Sequence, residues 1–325
     1  MEDWRKPLKF DPLPQLEASE SEALTYFVRR DLLGEEVGPV EALWQLPKVA
    51  KILKRQQEDG SWKYPRVMKG HRSRRDSNQA QTYKIVMEMV EKYGFTRDHA
   101  AIRSASSFLF TFQTGEGDFR GIYRDQYTPN YSAGIMELMV KAGYQNDQRI
   151  EKGFAWLLSV RQDDGGWAVP LRTLVGKGST RDAFHSPEPI QPDRSKPFSH
   201  WCTGVVLRAF AAHEEYRRAP EARLAGELLK SRFFQRDKYP DRQAKSYWMK
   251  IRYPFFWTGI LSALDSLSWL GFSKDDPDIK RGLGWLVTNQ EETGLWKAGY
   301  LKAGDKDIHL WTSLGVCRVF KRYYG

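Results

Sequence analysis

The sequence predicts an all-α protein of five to six stacked helix pairs, on three observations. A turn made of Gln, a short acidic stretch, Gly, one residue and an aromatic recurs. It reads RQQEDGSW ending at Trp62, FQTGEGDF at Phe119, RQDDGGW at Trp167 and NQEETGLW at Trp296. A half-apolar helical pattern precedes each turn, a more apolar one follows it, and strand signals are almost absent.

The first helices of the pairs are read at VAKILKRQQ, AIRSASSFLFTFQ, IEKGFAWLLSVRQ and IKRGLGWLVTNQ. In the third, Phe154, Leu157 and Leu158 space as one helical face. The Gly of each turn suits a left-handed cap after the last helical turn. The second helices are read at NQAQTYKIVMEMVEKYGF, PNYSAGIMELMVKAGY, HWCTGVVLRAFAAH, FFWTGILSALDSLSWLGF and IHLWTSLGVCRVFKRYY. A helix near SEALTYFVRRDLL begins the set, and FFQRDKY at 233–239 is a blurred fifth turn. The copies recur roughly every fifty to sixty residues, the signature of stacked supersecondary units.

Second helices that are apolar on most sides are expected to be buried on most sides, which favours closing the stack into a double-walled ring. The Gln of each turn is expected to bond helix-terminal carbonyls and the Trp to pack against the next pair. The turn then staples neighbouring pairs, and its Trp is structural. The chain reads as one domain, 1–325, with an extended arm at 1–18.

The bulk properties narrow the function. The chain has 325 residues, a net charge of +10 and 14% aromatics, including 12 Trp. The charge invites an anionic partner, and the aromatics suit either an apolar core or an aromatic-lined cavity. No apolar run is long enough to span a membrane, and the first residues lack a secretory signal pattern. Cys202 and Cys317 fit no disulfide framework, so a cytoplasmic setting with at most peripheral membrane contact is expected. There is no phosphate loop, dinucleotide fingerprint or Ser–His–Asp spacing, and no nucleic-acid motif.

KGFAWLLSVRQDDGGW and RGLGWLVTNQEETGLW resemble the QW repeats of squalene and oxidosqualene cyclases. Similar helix pairs form the β subunits of protein prenyltransferases. The resemblance runs from about residue 40 to the end. It implies an αα-toroid, an α/α barrel of inner and outer helices whose inner wall lines an isoprenoid cavity. It also implies a role as an isoprenoid-processing enzyme resembling class II terpene cyclases. The alternatives are a prenyl-diphosphate transferase-like protein and a non-catalytic isoprenoid or lipid-binding accessory protein. A toroid acting on acidic polysaccharides is more remote.

Three long basic loops enter second helices, where the helix dipole also favours an anion. They offer Arg72 and Arg75, Arg194 and Lys196, and Lys250 and Arg252 as a rim for a diphosphate. Tyr131, Trp201, Phe256, Trp257 and Trp311 are the candidate cavity aromatics, suited to stabilising cations through their π faces. Class II cyclisation needs a strong buried acid. The oxidosqualene cyclase motif Asp-Cys-Thr-Ala is matched by Cys202 and Thr203, but Trp201 stands where its Asp belongs. Asp76, Asp125, Asp193 and His200 are the candidate acid–base groups. KDDPD at 274–278 opens a first helix, on the wrong wall.

The prenyltransferases hold zinc with Asp-x-Cys and a later His, against which this chain sets His200-x-Cys202 and, two helices on, His309. Two ligands close no site, so no metal is assigned, and Mg2+ or Zn2+ is left open as a cofactor. His99, His185 and His213 read as surface or packing residues.

Overall fold

Local signals set the helix limits. Ser73 accepts from Asp76 N, Asp147 from Arg149 N, Ser199 from Cys202 N, and Asp276 from Asp278 N and Ile279 N. Each bond satisfies a donor that the first helical turn leaves open. Pro129, Pro220 and Pro277 occupy first-turn positions, where a missing N–H costs nothing.

The structure, a computed structural model, describes residues 3–66, 73–174, 180–240, 242–299 and 306–325. The α-helices are α1 Leu13–Glu17, α2 Glu22–Val28, α3 Pro47–Leu53, α4 Arg74–Tyr93, α5 Ala100–Phe110, α6 Pro129–Met139 and α7 Gln148–Ser159. There follow α8 Pro170–Thr173, α9 Thr180–His185, α10 His200–Ala212, α11 Pro220–Ser231, α12 Ile260–Trp269, α13 Pro277–Thr288 and α14 Ile308–Tyr324. No strand forms among the described residues, and isolated bridges such as Gln56–Trp62 and Gln113–Phe119 mark the turns. None of the described helices is long and apolar enough to cross a membrane.

The helices fall into two kinds. α3, α5, α7, α11 and α13 bury one face, whereas α4, α6, α10, α12 and α14 are buried on most sides. Contacts among the buried helices run α4 to α6, α6 to α10, α10 to α12 and α12 to α14. α14 also touches α2, and α2 touches α4. The N-terminal arm includes the short α1, which packs on α14.

The repeated turn is one hydrogen-bonded device. Trp62 N, Phe119 N, Trp167 N and Trp296 N donate to Thr82, Ser132, Thr203 and Ser313, at 3.0, 3.0, 2.8 and 2.9 Å. All four hydroxyls belong to buried helices. The indoles of Trp62, Trp167 and Trp296 donate to Ile52, Leu157 and Leu286 carbonyls at 2.9, 2.7 and 2.7 Å, ten residues back. The turn therefore ties its own two helices together.

The Gln ties on the next unit. Gln56 Nε2 donates to Gly60 O and Ala101 O, and Gln113 Nε2 to Gly117 O and Arg149 O. Gln162 Nε2 reaches Asp193 O and Lys196 O. Gln290 Nε2 reaches Gly294 O and Phe10 O, so the last turn holds the N-terminal arm. The expectation of a staple holds, but its partners differ from the expected helix-terminal carbonyls. They are turn carbonyls and the entry of the next helix or segment.

The turn Gly is also not a helix cap. Gly60, Gly117, Gly165 and Gly294 have φ of 84°, 112°, 101° and 82°. A Cβ on Gly60 would lie 2.2 Å from Ser104 O, and one on Gly117 2.5 Å from Lys152 O. Glycine is needed for the left-handed corner and for the close approach of the next helix.

The blurred fifth copy departs further. Tyr239, at the aromatic position, donates its hydroxyl to Pro197 O. Trp248 takes the buried place instead, its indole donating to Gln235 O at 3.0 Å.

Candidate ligand-binding site

The expected helix from Phe255 begins only at Ile260. Pro254 immediately precedes the expected start and Gly259 stands in its first part, and residues 250–257 run without helical structure. Gly299 N donates to Ile251 O at 2.7 Å, Tyr253 N to Thr312 at 3.3 Å, and Thr258 to Trp201 O at 2.6 Å. Side chains of this segment divide between two cavities. Arg252, Pro254 and Phe256 line one, and Tyr253 and Phe255 the other.

The first cavity holds about 310 Å³ between this segment and one face of α4. Gln81, Lys84, Ile85, Glu88 and Lys92 recur at helical spacing along that face. Met87, Phe256 and Trp257 supply apolar wall. Three cations, Lys84, Lys92 and Arg252, face one carboxylate, Glu88. Arg252 Nε is buried with no hydrogen-bond acceptor among the described residues. Phe256 lies 5.9 Å from Tyr83 and 5.8 Å from Trp257, and Lys84 Nζ lies 5.9 Å from its ring centre. Burial pushes the Tyr83 phenol up to about 12, so it stays neutral behind the Phe256 ring. The chemistry suits an amphipathic anion: apolar body on the aromatics, charge on the cations.

The second cavity holds about 770 Å³ where α2, α4, α12 and α14 end. Its walls are ion-paired. Asp31 sits 2.6 Å from both Arg30 and Arg318, Lys141 bridges Glu91 and Glu137 at 2.6 and 2.8 Å, and Arg322 pairs with Asp265. The Tyr253 hydroxyl donates to Glu91, and burial pushes its ionisation up.

At the start of α10, where Trp201 stands in place of an Asp, another part of the chain brings in a carboxylate. Asp237, from the blurred turn, accepts from Ser199 Oγ at 3.0 Å and Trp201 N at 2.9 Å. Sequence reasoning missed it because its turn is imperfect. His200 Nδ1 lies 3.3 Å from Asp237, and its ring packs 4.6 Å from Trp248. Burial pushes the imidazole down to about 4, against the pull of Asp237. A free His binds its proton near 6.5, so between these values the unfolded chain holds a proton that the folded chain does not. Stability from this group is full above about 6.5 and falls toward pH 4 by up to roughly 1.4 kcal/mol per pH unit. Urea denaturation between pH 7.5 and 4.5 should show this slope, and His200→Gln should flatten it; equal slopes would exclude the group.

The remaining candidates scatter. Asp76 is buried in the first turn of α4, and Asp125 is half-buried. Asp193 is exposed, and its bond from Ser195 holds it below the usual carboxylate range, the wrong direction for a proton donor. None of the three lines the 310 Å³ cavity.

The basic loops do not converge there. Arg75 bonds Thr111 and lies 4.3 Å over Phe112, while Arg194 and Lys196 are exposed beside Asp163 and Asp193. Lys250 Nζ lies 4.0 Å over Tyr247, and Arg72 lies outside the described residues.

Among the aromatics, Phe256 and Trp257 line the cavity. Tyr131 packs behind, 6.3 Å from Tyr83. Trp201 sits beneath Arg242, and Trp311 is buried against Phe27 and Tyr253. Lys84, Glu88 and Lys92 were missed; charges at helical spacing on an otherwise apolar helix were the available signal.

Three zinc candidates are not assembled. Burial pushes the Cys202 thiol up, and His309 Nδ1 is used by Ala298 N at 3.0 Å. Among the described residues no group of three or more His, Cys, Asp or Glu is placed to hold a metal ion. The donor set does not fit zinc.

The chain matches no protein-family model and no curated relative. Among solved structures it is similar to a polysaccharide lyase, at 14% identity over 87% of this chain and 85% of that one, with a TM-score of 0.47. It is also similar to a protein from Actinoplanes, at 14% identity over 87% of each chain and a TM-score of 0.41. A third is the type II terpene cyclase MstE from Scytonema, at 13% identity over 87% and 81% of the chains and a TM-score of 0.42. Likenesses at this level carry no argument about the ligand.

Proposed function

We propose that the chain is a single αα-toroid domain that binds an isoprenoid anion, such as a prenyl diphosphate, in the 310 Å³ cavity. The serial contacts of the buried helices and the bond from Gln290 to the N-terminal arm support the ring. One observation carries the ligand. Arg252 and Phe256 project from one segment into one cavity, opposite Lys84 and Lys92. The orphan Arg252 Nε supplies a charge-assisted donor, and Phe256 and Trp257 supply the face for an alkenyl chain. A volume at the low end of small-ligand sites, roughly 300 Å³, favours a short chain.

The repeat resemblance supports an enzyme that processes this ligand by cyclisation or prenyl transfer. Glu88 is the one carboxylate in the described lining, and the three cations around it favour its ionised form. A cation-rich lining with one carboxylate does not fit a divalent metal ion, so the diphosphate is held by side chains.

Calorimetric titration with geranyl, farnesyl and geranylgeranyl diphosphates tests the reading. Arg252→Gln should weaken binding by about 10- to 150-fold, the worth of a charged hydrogen bond. Phe256→Ala should weaken it by at least about tenfold through lost apolar contact. EDTA should leave affinity unchanged. No binding of any of the three, or equal binding by both variants, would reject the reading.

A further inference from the structure

The 770 Å³ cavity adjoins a smaller one of about 190 Å³, and the two share Lys141, Asp265 and Trp269. Together they are lined by seven cations and four carboxylates. Helix C-termini gather here, and part of the positive charge answers their carbonyls, as Lys321 does at Leu32 O. The carboxylates are consumed by the ion pairs described above. Donors are left over.

Arg208 is the sharpest case. It is 3% exposed, its Nε bonds Glu137 at 2.8 Å, its Nη1 reaches Trp257 O at 3.5 Å, and its Nη2 has no hydrogen-bond acceptor among the described residues. A buried guanidinium with an unfilled donor costs free energy unless a guest completes it. It lines the smaller cavity. At the junction of the two cavities stands Trp269, 48% exposed, a large apolar ring in a polar mouth. The guanidinium carbons of Arg217 and Arg322 lie 5.7 and 5.0 Å from its ring centre. Among the described residues Arg217 has one long pair, to Glu214 at 3.9 Å, so its charge is little used.

We propose that this end of the molecule is a second binding site, for an anionic sugar. The apolar face of a pyranose ring would rest on Trp269. Its carboxylate or phosphate would meet Arg217, and a hydroxyl or carboxylate oxygen would fill Arg208 Nη2. The segment 252–257 separates this site from the prenyl cavity, so the proposal stands independently of that reading.

The test uses the full chain in calorimetric titrations with glucuronate, digalacturonate, glucose 6-phosphate, glucose and inorganic phosphate. One or more of the charged sugars should bind at least tenfold more tightly than glucose and than phosphate alone. Sugar acids against the phosphosugar tell which anion is preferred. Trp269→Ala and Arg217→Ala, both outside the buried core, should each weaken that binding at least tenfold. Farnesyl diphosphate affinity should not change in either variant. Absence of binding by every charged sugar, phosphate binding as tightly as glucose 6-phosphate, or full affinity in Trp269→Ala would overturn the proposal.

Discussion

Replacing Arg208 by methionine is expected to cost about 3–5 kcal/mol of folding stability, the typical loss when one partner of a buried ion pair is removed. Arg208 and Glu137 side chains are 2% and 4% exposed and 2.8 Å apart. Lys141 then remains as the sole neighbouring cation bonded to Glu137, itself shared with Glu91. Glu137→Leu combined with Arg208→Met should cost far less, because no buried charge is left behind on that side. Urea denaturation of the two single variants and the double variant gives the coupling directly.

The same pair sets an acid limit. Burial would raise the Glu137 pKa, but Arg208 and Lys141 outweigh it and hold the carboxyl below its usual range. Its contribution is complete above the unfolded value near 4.3, and is lost as pH falls through the lower folded value. In Arg208→Met that loss should move to higher pH. A single variant within about 1 kcal/mol of the natural chain would mean that the pair is solvated, contrary to its burial.

Trp167→Ala is expected to cost a similar 3–5 kcal/mol, as large-to-small changes in a packed core do. The side chain is fully buried, its ring lies 5.4 Å from Phe210, and its indole donates to Leu157 O. Trp167→Phe should keep most of the packing and lose about 1 kcal/mol with the hydrogen bond. Thermal and urea unfolding decide this. Equal losses in both variants would show that the indole N–H, rather than the packed volume, dominates the turn.

Helix pairing was legible because periodicity and turn chemistry are local. α6, α10 and α14 start where their apolar patterns start, and the four clear turns share the backbone bond to a helix hydroxyl. Their hydroxyl partners Thr82, Ser132, Thr203 and Ser313 were visible but unassigned, since which hydroxyl meets which turn depends on packing between helices. The site was less legible for the same reason. An apolar run such as FFWTGIL reads as helix in either case, and only Pro254 and Gly259 hint at a non-helical segment. Asp237 reaches α10 from another unit, a contact that no spacing encodes. Basic loops can be counted in sequence, but Arg75, Arg194 and Lys196 show that a charge near a helix entry need not point at a common ligand.

The most direct test of the central claim is a crystal structure of the chain with a non-hydrolysable farnesyl diphosphate analogue. The account predicts the diphosphate against Arg252, Lys84 and Lys92, with the prenyl chain along Phe256 and Trp257. An analogue seated instead in the larger cavity beside Trp269, or absent from the crystal at saturating concentration, would contradict it.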